Sequence, residues 1–179
     1  MLTRFGKRKI RQSGFTLVEV LVATIVLLTG VVAVAQLVPV AVTANNVSRR
    51  DSTALVIAQR ELAQMLKQPL GGPTTFTDAL GNSCNLGTPG APGVTQGSPV
   101  VVIANRPSIN FSAAAVGGWS FTTPVDVEDP YGAQYDVRWA AIMDGTGATA
   151  SSRRIIISAR LLGGNRYGLP LTLDAMVQQ

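Results

Sequence analysis

Side chains able to do chemistry are scarce in this chain of 179 residues. It has no histidine and a single cysteine, Cys84, so the usual materials of acid–base catalysis, zinc binding and Cys–His nucleophilic chemistry are missing. The acids gather in one place only, where Asp126, Glu128 and Asp129 precede Pro130-Tyr131-Gly132. Calcium takes several oxygen ligands from such loops, but three carboxylates at this spacing fix too few of them, and the segment reads as a solvated turn. Arg153, Arg154 and Arg160 would have to form a clustered patch to hold nucleic acid. Instead they alternate with apolar residues, as solvent-facing strand positions do. No strand leads into a Gly-x-Gly-x-x-Gly or Lys-Ser/Thr pattern, so the glycines make no phosphate cradle. The reading is of a protein that is not an enzyme, with no cofactor, metal or nucleic acid expected.

One acid stands in an unusual place. Arg4, Lys7, Arg8, Lys9 and Arg11 lead into Ser13-Gly14-Phe15-Thr16-Leu17-Val18-Glu19, and after Glu19 no charged residue occurs until Arg49. The uncharged, mostly apolar run over residues 20–42 is long enough to cross a hydrocarbon core, which needs about 20 residues of helix. A carboxylate in lipid costs roughly 2.5 to 3.5 kcal/mol, so Glu19 at the head of this run is expected to be functional and to meet a cationic partner. The basic cluster keeps the leader in the cytoplasm by the positive-inside rule, and everything after the helix lies outside. The formal charge of +5 belongs to that leader, and residues 15–179 carry ten basic and ten acidic side chains. A competing reading takes the leader, the apolar run and Ala33-Val34-Ala35 as a conventional signal peptide cut after Ala35, releasing a secreted binding domain. Against it, the apolar run continues past Ala35 to Val42, and a signal peptide has no use for Glu19.

The tract Gly14-Phe15-Thr16-Leu17-Val18-Glu19-Val20-Leu21-Val22-Ala23 after a short basic leader resembles the prepilin signature of type IV pilins and type II secretion pseudopilins. The resemblance implies that a prepilin peptidase cuts between Gly14 and Phe15 and methylates the new amine of Phe15. It also implies that Glu19 pairs with the N-terminal amine of a neighbouring subunit during filament assembly, which suits two opposite charges meeting where the dielectric is low. The partners it implies are other pilin or pseudopilin subunits, the peptidase, an assembly platform in the inner membrane, and that membrane itself. The proline usual in major subunits would fall at Gln36, whereas this chain has Pro39. With Gly30 and Ala58-Gln59-Arg60-Glu61-Leu62-Ala63, it looks more like a minor pilin of the pilus-modification type, or a small minor pseudopilin of type II secretion.

Around these residues the sequence predicts an α+β, pilin-like architecture. Residues 1–14 are the cleaved leader and 15–42 the membrane and assembly helix. In 43–68 an amphipathic continuation repeats Val47, Ala54, Leu55, Ala58, Leu62, Met65 and Leu66 at spacings of three and four, and that stripe needs a sheet to cover it. Pro39 removes a backbone hydrogen bond, so a kink near Ala35 and Gln36 is expected, with Gly30 a second soft point; both are either tolerated irregularities or places where the packed helix bends or melts. Pro69-Leu70-Gly71-Gly72-Pro73 ends the helix. Residues 69–99 read as a Gly/Pro-rich loop, with Cys84 a free thiol in it or bonded to another subunit. Over 100–179 an antiparallel sheet is expected, with strands at 100–104, 119–123, 135–141, 154–161 and 171–177 and a turn at Asp144-Gly145-Thr146-Gly147. Trp119 and Trp139 are assigned to its core.

Overall fold

The structure is a computed structural model, and it describes residues 14–90, 93–124, 132–146, 149–163 and 170–178. One helix, α1 (Leu17–Lys67), precedes nine strands: β1 (Thr75–Thr77), β2 (Ser83–Asn85), β3 (Thr95–Gly97), β4 (Val100–Ile103), β5 (Arg106–Ile109), β6 (Ser120–Thr122), β7 (Tyr135–Thr146), β8 (Thr149–Leu161) and β9 (Leu171–Gln178). The chain divides into two compact units after Asn45. In the first, α1 is apolar all round and exposed at every position, with mean hydropathy 2.6 over its most apolar window. It is long and apolar enough to cross a membrane. The helix runs unbroken through Gly30 and Pro39, and Thr43 Oγ1 donates to the Pro39 carbonyl at 2.8 Å.

In the second unit α1 becomes one-sided. Ala54, Ala58, Glu61, Leu62 and Met65 are its buried residues, at the helical spacing that sets one stripe against a sheet. That sheet is antiparallel with the order β3-β7-β8-β9, and β6 pairs with β7 beside β3. The pleat then decides the core. Val137, Trp139 and Ala141 of β7 and Ile155, Ile157 and Ala159 of β8 turn to the helix stripe, joined by Leu171, Leu173 and Ala175 of β9. Trp139 faces Ile157 across the β7–β8 ladder and Ile157 faces Leu173 across β8–β9. Trp119 lies beside Trp139 with ring centroids 6.4 Å apart, and the Trp139 indole donates to the Asn85 carbonyl at 2.8 Å. Both tryptophans are core residues, as their sequence setting predicts. The chain passes Trp119 at Gly97, whose φ is +100° and whose place would put a Cβ 2.3 Å from the indole. Only glycine fits there.

Several boundaries differ from expectation. Residues 69–99 hold three short strands, β1, β2 and β3, of three residues each, too brief for a periodic signal. The strand at 100–104 is half of a hairpin, β4–β5, which turns on Ala104 and Asn105, both at positive φ. Asp144-Gly145-Thr146 continues β7 rather than turning it. A register shift falls there, with Asp144 opposite Ser152 but Gly145 opposite Ala150, so Ser151 is the extra residue of a bulge and its hydroxyl donates to the Asp144 carbonyl at 3.0 Å. The second face of the sheet is not open to water as its polar residues suggest. Ile109 packs there on Ala140 and Ile156, with Val100 and Phe111 against them, and Asp136, Arg138 and Ser158 are buried.

Candidate functional site

The residues with an expected function lie at the start of α1. Helical structure begins at Leu17, so Gly14 and Phe15 precede the helix, and no atom lies within 4 Å of where a Gly14 Cβ would be. Phe15 is 82% exposed. The peptide bond between them therefore lies outside the helix beside an exposed side chain. Thr16 is the residue before the first helical one. Its hydroxyl accepts from the Glu19 N–H at 3.3 Å, and its own N–H faces Glu19 Oε2 at 3.5 Å. This reciprocal pair is a capping box, with Thr at the cap and Glu three residues on. A carboxylate there also meets the positive end of the helix dipole. Glu19 thus has a task within its own chain that the sequence reading missed, although Thr-x-x-Glu before an apolar run was its visible signal. Its other oxygen, Oε1, makes no hydrogen bond among the described residues.

The remaining candidates fall elsewhere. Gly30 and Pro39 sit inside the exposed helix. Cys84 is not in a loop. It is a free cysteine in β2 with no exposed surface, and burial first, then the charges of Asp78 and Glu61, push its thiol up to about 12. The Asp126, Glu128 and Asp129 segment lies outside the described residues, as do the basic residues of the leader. Among the described residues no group of three or more His, Cys, Asp or Glu is placed to hold a metal ion.

The three arginines do not share a solvent-facing surface. Arg153 is 2% exposed and faces α1. Its guanidinium donates to the carbonyls of Met65 at 3.0 Å, Gln68 at 3.3 Å and Pro69 at 2.8 Å, adding a charged donor where the chain leaves α1 and its carbonyls lack the next helical turn. A cation there also answers the negative end of the dipole. Burial lowers its pKa from the usual arginine value. Arg154 pairs with Asp174, Nε to Oδ1 at 2.9 Å. Arg160 reaches Asp136 at 3.3 Å, and Asp136 is also gripped by Arg138. Phe111 lies under both Arg138 and Arg160, at 5.1 and 4.6 Å from its centroid.

With the exposed start of the helix, its cap and its apolar run in place, the comparison with known families bears on this end of the chain. Residues 9–35 match the prokaryotic N-terminal methylation motif. The chain carries the type IV pilin and pseudopilin signature. The methylation motif covers Gly14, Phe15, the capping box and the apolar run as far as Ala35. It marks a pilin- or pseudopilin-like substrate of prepilin peptidase, which suggests a structural subunit rather than an enzyme. No curated protein and no solved structure matches the chain.

Proposed function

We propose that this protein is a structural subunit, of the minor class, of a type IV pilus or a related filament. Prepilin peptidase cuts between Gly14 and Phe15 and methylates the amine of Phe15. Before assembly the subunit spans the inner membrane once, with its C-terminal domain in the periplasm. An assembly platform then moves it into the filament, where its apolar helix packs among those of other subunits and bends near Gly30 and Pro39. The carrying observation is the methylation motif of residues 9–35 running into a helix that buries none of its first half.

Glu19 gives this reading its chemistry. One oxygen faces its own helix cap while the other is left for a donor from outside. A methylated Phe15 amine of a neighbouring subunit supplies both the charge and the hydrogen. The same device serves a minor pseudopilin of type II secretion equally well, and the genes beside this one separate the two. N-terminal mass spectrometry of protein from native membranes tests maturation. Methylated Phe15 is expected; a chain beginning at Met1, or one beginning after Ala35 as a secreted domain would, overturns the proposal. Glu19→Ala should insert and be cleaved normally, yet enter filaments at a small fraction of the wild-type level. Normal incorporation would remove Glu19 from its role.

A further inference from the structure

The apolar run of residues 20–42 contains three polar side chains, Thr24, Thr29 and Gln36. Two are satisfied inside their own helix. Thr24 Oγ1 donates to the Leu21 carbonyl at 2.8 Å and Thr29 Oγ1 to the Val26 carbonyl at 2.9 Å, the back-bonding by which a hydroxyl hides in a helix. Gln36 is exposed and makes no hydrogen bond among the described residues. Its amide has two donors and an acceptor, and hydrocarbon offers none of them a partner. Snorkelling does not rescue it. Gln36 lies six residues short of Val42, about 9 Å along the axis, and a helical Cα–Cβ bond leans toward the N-terminus, here back into the hydrocarbon.

We propose that Gln36 pairs two copies of this chain in the membrane before assembly, amide to amide. The proposal rests on the single-pass reading given above. Two copies inserted with one topology hold Gln36 at one depth, and a carboxamide is its own complement, since each donates to the other. The flanking surface suits a second helix. Leu28, Thr29, Val32, Ala33 and Gln36 line one shallow groove, and Thr29, Ala33 and Gln36 follow at spacings of four and three, on one helix face. Small residues there let a second backbone approach, as membrane helix contacts require. This level pairing differs from the filament contact. Glu19 meeting a neighbour's Phe15 offsets two subunits by four residues, about 6 Å. The pair therefore separates as its members enter the filament, and Gln36 holds a reserve of subunits in the membrane.

The test uses the full chain reconstituted in phosphatidylethanolamine and phosphatidylglycerol vesicles, with no assembly machinery. Ala33→Cys puts a thiol in the groove and Val31→Cys puts one on the opposite helix face. On mild oxidation Ala33→Cys should give disulfide dimers and Val31→Cys few. Adding Gln36→Leu to Ala33→Cys should cut the dimer yield at least threefold, while Gln36→Asn keeps most of it. Gln36→Leu only raises the apolar character of the helix, so insertion is not at risk. An unchanged yield with Gln36→Leu, or equal cross-linking from both faces, overturns the pairing. Maturation is read separately on native protein, so failure of the pair and failure of the filament reading are distinguishable.

Discussion

Glu61 has no exposed surface, its Oε1 held at 3.0 Å by Arg60 and its Oε2 without a hydrogen-bond partner. Desolvation raises its pKa above 4.5, Arg60 opposes the shift, and the charge of Asp78 adds to it. An acid whose folded pKa is raised supports the fold below its unfolded pKa, and that support is lost as pH rises through the folded value. Glu61→Gln should therefore stabilise the protein near pH 7 by about 1 kcal/mol, since it removes a buried, half-satisfied charge. It should also flatten the stability profile above pH 4.5. Urea melts at several pH values check this, and a variant with the wild-type slope would show that the slope has another source. At the other end of the helix, Thr16→Ala removes the cap hydroxyl, a loss of about 1 kcal/mol to the first turn. Amide exchange in detergent micelles should speed at Leu17 to Val20 and nowhere else, with Thr16→Ser close to wild type.

At the scale of elements, the junction between α1 and the sheet depends on one arginine. Arg153→Met removes the guanidinium donors from the carbonyls of Met65, Gln68 and Pro69 at the end of α1, and charged hydrogen bonds of this kind contribute roughly 1.5 to 3 kcal/mol. The melting temperature should fall, and exchange should speed first at residues 64–68. Arg153→Lys recovers only part of the loss, because an ammonium cannot span three carbonyls as the guanidinium fork does. Full recovery with lysine would mean that charge alone matters. Arg153 also shows why some of the fold escaped the sequence. It has the same strand parity as Ile155, Ile157 and Ala159, so the alternation pointed it inward, but a guanidinium in an apolar row reads as an exposed exception until the helix end above it is known. The helix, its breaker and the three long strands were legible because their periods repeat over many residues. Strands of three residues repeat too little, and the β4–β5 hairpin turns on Ala104 and Asn105 without a glycine to announce it. At the candidate site the order of residues around Gly14, Phe15 and Glu19 is enough to mark the tract that the methylation motif covers, whereas the cap depends on a contact within one helical turn.

The whole molecule is two units with different surfaces. The second unit, after Asn45, has its own apolar core and its own sheet, and a fragment of residues 46–179 should fold alone in water with one cooperative melt. Circular dichroism and sedimentation would show a folded monomer, whereas the full chain should need detergent. A fragment that melts without cooperativity would mean that the first half of α1 contributes to folding. The described residues of the first unit are all exposed in the isolated chain, so their stability is a property of whatever surrounds them.

Cys84 gives the finished protein a further property. With its ionisation pushed up to about 12 by burial and the charges of Asp78 and Glu61, the reactive thiolate is far scarcer than on an open chain at neutral pH. Folding thus acts as the molecule's own antioxidant, and the interval between synthesis and closure of β2 over the sulfur is the time in which stray cross-links can form.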